Sequence, residues 1–375
     1  MKLRLLLVFL LLPLFGFAQT YTLSTLVNFP ATAKKGPANP SGYLTMDSQG
    51  NLYGVAGGGT AGTIFKATSK GVLTTLHNFT GPDGSAPQSA VVFDKAGNMY
   101  GTTMEGGKFN YGTVYKLTPK GVETVLHSFT DTAADGNYPT FAVTLDANAN
   151  VYGYIYYTVQ DEPNSGAIFQ ITPQGSFSLV YSFGQNQGMD GFDPQASMIT
   201  DRAGNFYGVT SDGGDLDSCG LPAGVAFKLT PNFDYSVLHT FCPRLGDVGT
   251  PRGKLVQDNA GNMFGGGGGI YKITQSGVES VLNPCCFVSE NYVQTLVRDS
   301  AGNLYGTVPA ASNTDNTYVF RIAPDGTETV LHTFNAPINI GDGVAIDSAG
   351  NLYGTTSNGG TNGTGSIFKL TKKAN

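Results

Sequence analysis

Asp94-Lys95-Ala96-Gly97-Asn98-Met99-Tyr100-Gly101 is one of seven copies of a single octet in this chain of 375 residues. The others run from Asp47 to Gly54, Asp146 to Gly153, Asp201 to Gly208, Asp258 to Gly265, Asp299 to Gly306 and Asp347 to Gly354, at a mean period of 50 residues. Self-similarity at a fixed period outranks any other local signal, and a period near 50 built from strands is that of propeller blades. Four short strands can be read in each unit. An apolar run such as Tyr43-Leu44-Thr45-Met46 ends at the octet Asp, and a second strand starts after the Gly-Asn turn at Leu52-Tyr53-Gly54-Val55. A Gly-rich loop of variable length leads to a third strand, as in Thr113-Val114-Tyr115-Lys116. The fourth follows a turn in which Pro119 pre-sets φ and Gly121 permits its change of sign, and it runs from Val122 to Phe129.

The octet Asp accepts backbone N–H groups two or three residues on, while Gly and Asn tolerate the left-handed conformation of the tight turn. Asp47, Asp94, Asp146, Asp201, Asp258, Asp299 and Asp347 are therefore read as turn staples, with weak calcium ligation as the alternative. In the third copy Ala149 stands where the others have Gly, and Asn148 or Asn150 is expected to take the left-handed position.

The chain ends predict closure of a ring. Leu-His-x-Phe or a variant closes the fourth strand at Leu76 to Phe79, Leu126 to Phe129, Val180 to Phe183, Leu238 to Phe241 and Leu331 to Phe334, with a degraded copy at Leu282 to Cys285. The seventh octet has no such partner after it; the missing copy is Leu26-Val27-Asn28-Phe29 at the front. A segment from about Tyr21 to Phe29 is thus expected to become the outer strand of the last blade, which removes two exposed sheet edges. The fold class is all-β: a seven-bladed β-propeller of four-stranded blades, closed by the N-terminal strand joining the last blade. Residues 19–375 are expected to form one domain.

Composition agrees. The chain has 52 Gly, 19 Tyr, 23 Phe and no Trp, and only 13% of it is charged, against a usual figure of about 25%. Its net charge of −6 is the wrong sign for a nucleic-acid binder, which needs clustered positive charge. Lys2 and Arg4 precede an apolar run from Leu5 to Phe17, and Gly16-Phe17-Ala18 supplies small residues, so residues 1–18 read as a signal peptide cleaved after Ala18. The run is shorter than a membrane span of about 20 residues. No Cys lies near the cleavage point and no apolar tail precedes Asn375, so neither anchor is expected. The expectation is an exported protein, periplasmic or extracellular, without a membrane span and monomeric.

Candidate chemistry is sparse. His77, His127, His239 and His332 occupy one repeat position in different blades, where Val27, Tyr181 and Asn283 also occur, so they cannot converge on one metal and a structural role is expected. No set of His or Glu suited to an axial lyase or lactonase centre stands out, and no Gly-x-Ser-x-Gly elbow is present. Gly57 to Gly62 matches Gly-x-Gly-x-x-Gly but sits between two strands with no helix to follow, and Gly265 to Gly269 lacks the Lys of a phosphate loop. No catalytic residue, metal or cofactor is expected. In an exported chain, four cysteines argue for disulfides. Cys219 lies between second and third strands and Cys242 just after the fourth, so loops of one face would bring them together; Cys242 with Cys286 is the rival pairing.

The combination Asp-x-x-Gly-Asn-Leu-Tyr-Gly, a Gly-rich loop, Ile/Val-Phe-Lys-Leu-Thr-Pro-x-Gly and Val-Leu-His-x-Phe resembles the Gloeo/Verruco tandem repeat of exported bacterial proteins, especially at Asp94 to Phe129 and Asp299 to Phe334. That resemblance implies a propeller-like repeat with no assigned chemistry. The octet resembles more faintly the repeats of NHL and streptogramin lyase propellers.

Function on such a scaffold is expected in the variable loops. Phe109, Tyr111, Tyr156, Tyr157 and Asp161 are the candidate ligand-binding residues, because aromatic faces stack on sugar rings and carboxylates take hydroxyls. The same residues suit a protein interface, and they also suit packing within their own loops. The function classes are a non-catalytic recognition or scaffold module with a glycan or protein partner, and, as the alternative, a propeller lyase or hydrolase resembling the streptogramin lyase group.

Overall fold

The computed structural model describes residues 20–31, 36–132, 134–156, 166–220, 223–284, 293, 295–308, 316–335 and 338–373. They form seven four-stranded antiparallel sheets. Blade 1 is typical: Pro40–Met46 is innermost, then come Leu52–Ala56, Thr63–Ala67 and the outer strand Leu73–Asn78. Six blades run inside to outside in chain order. In the seventh, Tyr21–Asn28 is the outer strand, paired antiparallel with Ser366–Lys372 from Tyr21 opposite Lys372 to Asn28 opposite Ser366. The ring is closed by joining the front of the chain to its end.

Every residue of the second strand Leu52–Ala56 is buried, because both faces of the sheet are covered by neighbouring blades. The core is correspondingly divided into seven clusters, each spanning two adjacent blades. The cluster of Val27, Tyr353 and Ile367 with Leu44, Leu52 and Phe65 seals blade 7 against blade 1. Each of these contacts depends on a glycine: a Cβ on Gly54, the octet's last residue, would stand 2.6 Å from the Phe65 ring, and one on Gly354 2.4 Å from that of Phe368. The glycine makes room for an aromatic ring of the adjacent strand.

The octet Asp does more than bind backbone. In blade 1, Asp47 Oδ1 accepts the N–H groups of Gln49 and Asn51, each at 2.9 Å, while Oδ2 accepts Asn51 Nδ2 at 2.8 Å and the Tyr53 hydroxyl at 3.0 Å. The Asn and Tyr of the octet are thus explained by the same carboxylate. With four donors on two oxygens, little capacity is left for a cation. Blade 5 keeps the Asn262 bonds to Asp258 but has Phe264 in place of Tyr.

One local expectation is corrected. Ala149 itself adopts the left-handed conformation, with φ of 62°, in place of Asn148 or Asn150. The carboxylate of Asp146 binds the N–H of both Asn148 and Asn150 at 2.9 Å, which fixes those two residues on either side and leaves the turn to Ala149. The strain of a left-handed alanine, about 1 kcal/mol, is outweighed by the clasp around it.

Candidate functional site

In an antiparallel blade, the connection entering the inner strand and the loop between second and third strands lie at one end of the ring, and the octet turns lie at the other. At the former end the inner strands surround an axial cavity of about 260 Å³. All seven blades line it, through Tyr43, Gln88, Thr140, Gln195, Arg252, Thr295 and Asp342 among others. These residues differ from blade to blade, so no repeat pattern flags them. Their address does repeat: each lies four to six residues before an octet Asp.

The backbone is shaped for the cavity. Inner strands of blades 1, 4 and 5 break register between Ser41 and Thr45, Gln195 and Ile199, and Arg252 and Val256. Positive φ at Gly42, Ala196 and Gly253 makes those breaks; bulges of this sort re-aim side chains. Ala196 is a non-glycine held at φ 54° in the cavity wall.

The wall is mostly hydroxyl and amide. Gln195 Nε2 donates to Ser211 Oγ at 3.1 Å, and Ser211 in turn donates to Asp193 Oδ2 at 2.6 Å. Burial and the charge of Asp193 raise the Asp212 carboxyl pKa, with Arg252 opposing them. Ser197 is buried and its Oγ has no hydrogen-bond partner. Burial also raises the carboxyl pKa of Asp342.

The loop residues expected to bind a ligand are dispersed. Phe109 is 45% exposed, with Lys108 Nζ 4.9 Å from its ring centroid. Tyr111 lies edge-on to Tyr138 at 6.0 Å and packs on the core between blades 2 and 3; the Asp131 carboxylate raises its hydroxyl pKa. Tyr156 donates its backbone N–H to Asn137 at 3.2 Å. Tyr157, Asp161, Cys285 and Cys286 lie outside the described residues. Cys219 and Cys242 form a disulfide with Cα atoms 5.0 Å apart, tying the short helix Leu216–Cys219 to the exit from blade 4.

The histidines stand on outer strands, away from the cavity lining. His77, His127 and His239 each place Nε2 against an aspartate of the connection to the next blade: Asp83 at 2.9 Å, Asp135 at 2.5 Å and Asp247 at 3.0 Å. Tyr181 does the same to Asp190 at 2.7 Å. The sequence signal is an Asp six to nine residues after the His or Tyr, followed by Gly in three of these cases. The next blade's outer strand supplies a third member: Glu123 near His77, Phe177 stacked on His127 at 4.2 Å, Tyr235 stacked on Tyr181 at 4.0 Å, and Glu279 near His239. Burial and Asp83 push the Glu123 carboxyl up to about 7, and burial and Asp247 push Glu279 up to about 8.

Among solved structures, the chain is similar to a virginiamycin B lyase from Staphylococcus aureus, at 14% identity and a TM-score of 0.59 over 94% of this chain and 99% of that one. A gluconolactonase from Xanthomonas campestris matches at 11% identity and a TM-score of 0.49, over 94% of this chain and 90% of that one. At such identities the likeness to the lyase is one of fold. No curated protein matches the sequence. The Gloeobacter/Verrucomicrobia repeat matches residues 56–266, more than half of the sequence, and the four octets within that span each hold their Asn on the octet Asp. The chain belongs to the Gloeobacter/Verrucomicrobia repeat family.

Proposed function

We propose that this protein is an exported, non-catalytic recognition propeller that takes the end of a glycan at its axial cavity. One observation carries the reading: a scaffold that repeats its residues almost everywhere places different hydroxyl and amide side chains, Gln88, Thr140, Gln195, Ser197 and Thr295, around one cavity. Convergent polar groups in a concave site are how small polar ligands are oriented, and amides and hydroxyls match the alternating donors and acceptors of a sugar. Tyr43 lines the same wall and adds an aromatic ring to it. Phe109 and Tyr156 belong to loops at the same end and would contact the rest of a longer chain.

The test is an array of bacterial and plant polysaccharides probed with the wild-type chain, a Gln88→Ala/Gln195→Ala variant and a Phe109→Ala/Tyr156→Ala variant. Binding lost in the first variant supports the axial site, and binding lost only in the second moves recognition to the loops. An array without any hit sinks the glycan reading and turns the search to protein partners.

A lyase or hydrolase is the second reading, and Asp342 is what favours it. A carboxyl whose pKa is raised by burial, in the cavity that also holds Tyr43 and Arg252, has the makings of a general acid. Virginiamycin B, the substrate in the name of the lyase of similar fold, is the first compound to try. Turnover abolished by Asp342→Asn would establish this reading in place of the first.

A further inference from the structure

The two interfaces that pair histidine with glutamate gather a metal-binding donor set. Between blades 1 and 2, His77 Nε2 and Asp83 Oδ2 are 2.9 Å apart, Thr80 fixes the other oxygen of Asp83 at 2.7 Å through its N–H, and Glu123 completes the group from the next blade. Glu123 Oε1 is buried without a hydrogen-bond partner. Between blades 4 and 5, His239 Nε2 is 3.0 Å from Asp247 Oδ2 and 4.0 Å from Glu279 Oε2, and the Glu279 side chain is only 3% exposed. In both groups one ligand atom from each residue lies within 4.8 Å of the other two. Ligands at 2.0–2.2 Å around a tetrahedral ion stand about 3.3 Å apart, so small rotations bring each group into coordination.

Chemistry points the same way. One imidazole with two carboxylates is a nitrogen and oxygen set suited to a first-row divalent ion more than to calcium, which takes oxygens alone. Two carboxylates match the charge of such an ion, whereas facing each other without one they repel in a poorly hydrated interface. His77 and His239 keep 16% and 17% of their side chains exposed, which leaves a route in and room for a water as fourth ligand. The interface between blades 2 and 3 is a control built into the molecule: His127 has its Asp135, but Phe177 lies where the glutamate would be.

We infer that His77, Asp83 and Glu123, and separately His239, Asp247 and Glu279, each bind a divalent first-row cation that staples adjacent blades, with zinc as the probe ion. In each site the imidazole binds through the Nε2 lone pair and carries its proton at Nδ1.

The untagged full chain, stripped with a chelator and then loaded with zinc near neutral pH, should retain two zinc ions after gel filtration, measured by mass spectrometry, one for each triad. Glu123→Gln and Glu279→Gln should each remove one, with affinity at that site at least about tenfold weaker, and the double variant should retain none. Cobalt loading should give the intense visible absorption of tetrahedral ions in the wild type, about half of it in each single variant and none in the double variant. If Glu279→Gln disturbs folding, Glu279→Phe copies the arrangement that blade 3 already uses and should leave a folded chain that retains one zinc ion, at the His77 triad. A stripped wild type that takes up no zinc, or a double variant that retains as much as the wild type, overturns the inference.

Discussion

The interfaces on either side of blade 4 use the same three chain positions for opposite chemistry. Toward blade 3, Tyr181 stacks on Tyr235 at 4.0 Å with planes 7° apart, and Asp190 receives the Tyr181 hydroxyl. Toward blade 5, His239, Asp247 and Glu279 occupy the corresponding places. The octet clasp and the apolar clusters fix the backbone in both cases, so these positions are free to be aromatic or ionisable. An aromatic stack adds about 0.5–1.5 kcal/mol beyond its buried area. Two half-buried carboxylates facing each other add nothing until a proton or a cation neutralises one of them.

Truncating the stack should break the comparison most visibly. Tyr235→Ala is expected to cost about 3 kcal/mol, the low end for removing a large aromatic side chain, read as a shift of the urea midpoint. A loss below about 1 kcal/mol would mean that the clasp and clusters alone hold that interface. Converting one type into the other is the sharper experiment. In metal-free protein, Glu279→Phe should raise stability by about 1 kcal/mol, and a destabilised variant would show that the polar triad is favourable even without a cation.

The frame common to both interfaces can be tested with smaller effects. Ala149→Gly removes left-handed strain, offset in part by added freedom of the unfolded chain, and should stabilise by about 0.5 kcal/mol. No change in melting temperature would mean that the clasp of Asp146 relieves the strain at no cost. Burial alone would raise the pKa values of Asp47, Asp94, Asp201, Asp258, Asp299 and Asp347. Hydrogen bonds from the octet Asn and its neighbours outweigh burial and lower them. A lowered folded pKa means that each contributes stability that is full above the ordinary carboxylate value and is lost as pH falls through the folded one. The melting temperature should therefore drop below about pH 4, and Asp94→Asn should lessen that drop.

The blade count, the strand order and the ring closure were all legible in the sequence, because each is a consequence of a pattern repeated in register. Asp47 to Gly54 specifies a hairpin through contacts no more than six residues apart, and such contacts are visible in one copy of the motif. The permuted Leu26 to Phe29 announced its pairing with the last blade because its partner motif was missing there. The axial cavity was not legible. Gln88, Arg252 and Asp342 become neighbours only when seven blades close on one axis, and their variety hides them from any search for repeats. The triads were half hidden for the same reason: His77 and Asp83 are near in sequence, but Glu123 arrives from the next blade. Sequence alone determined what is local and repeated; tertiary structure decided which unrepeated side chains meet, since only the closed ring brings the blades face to face.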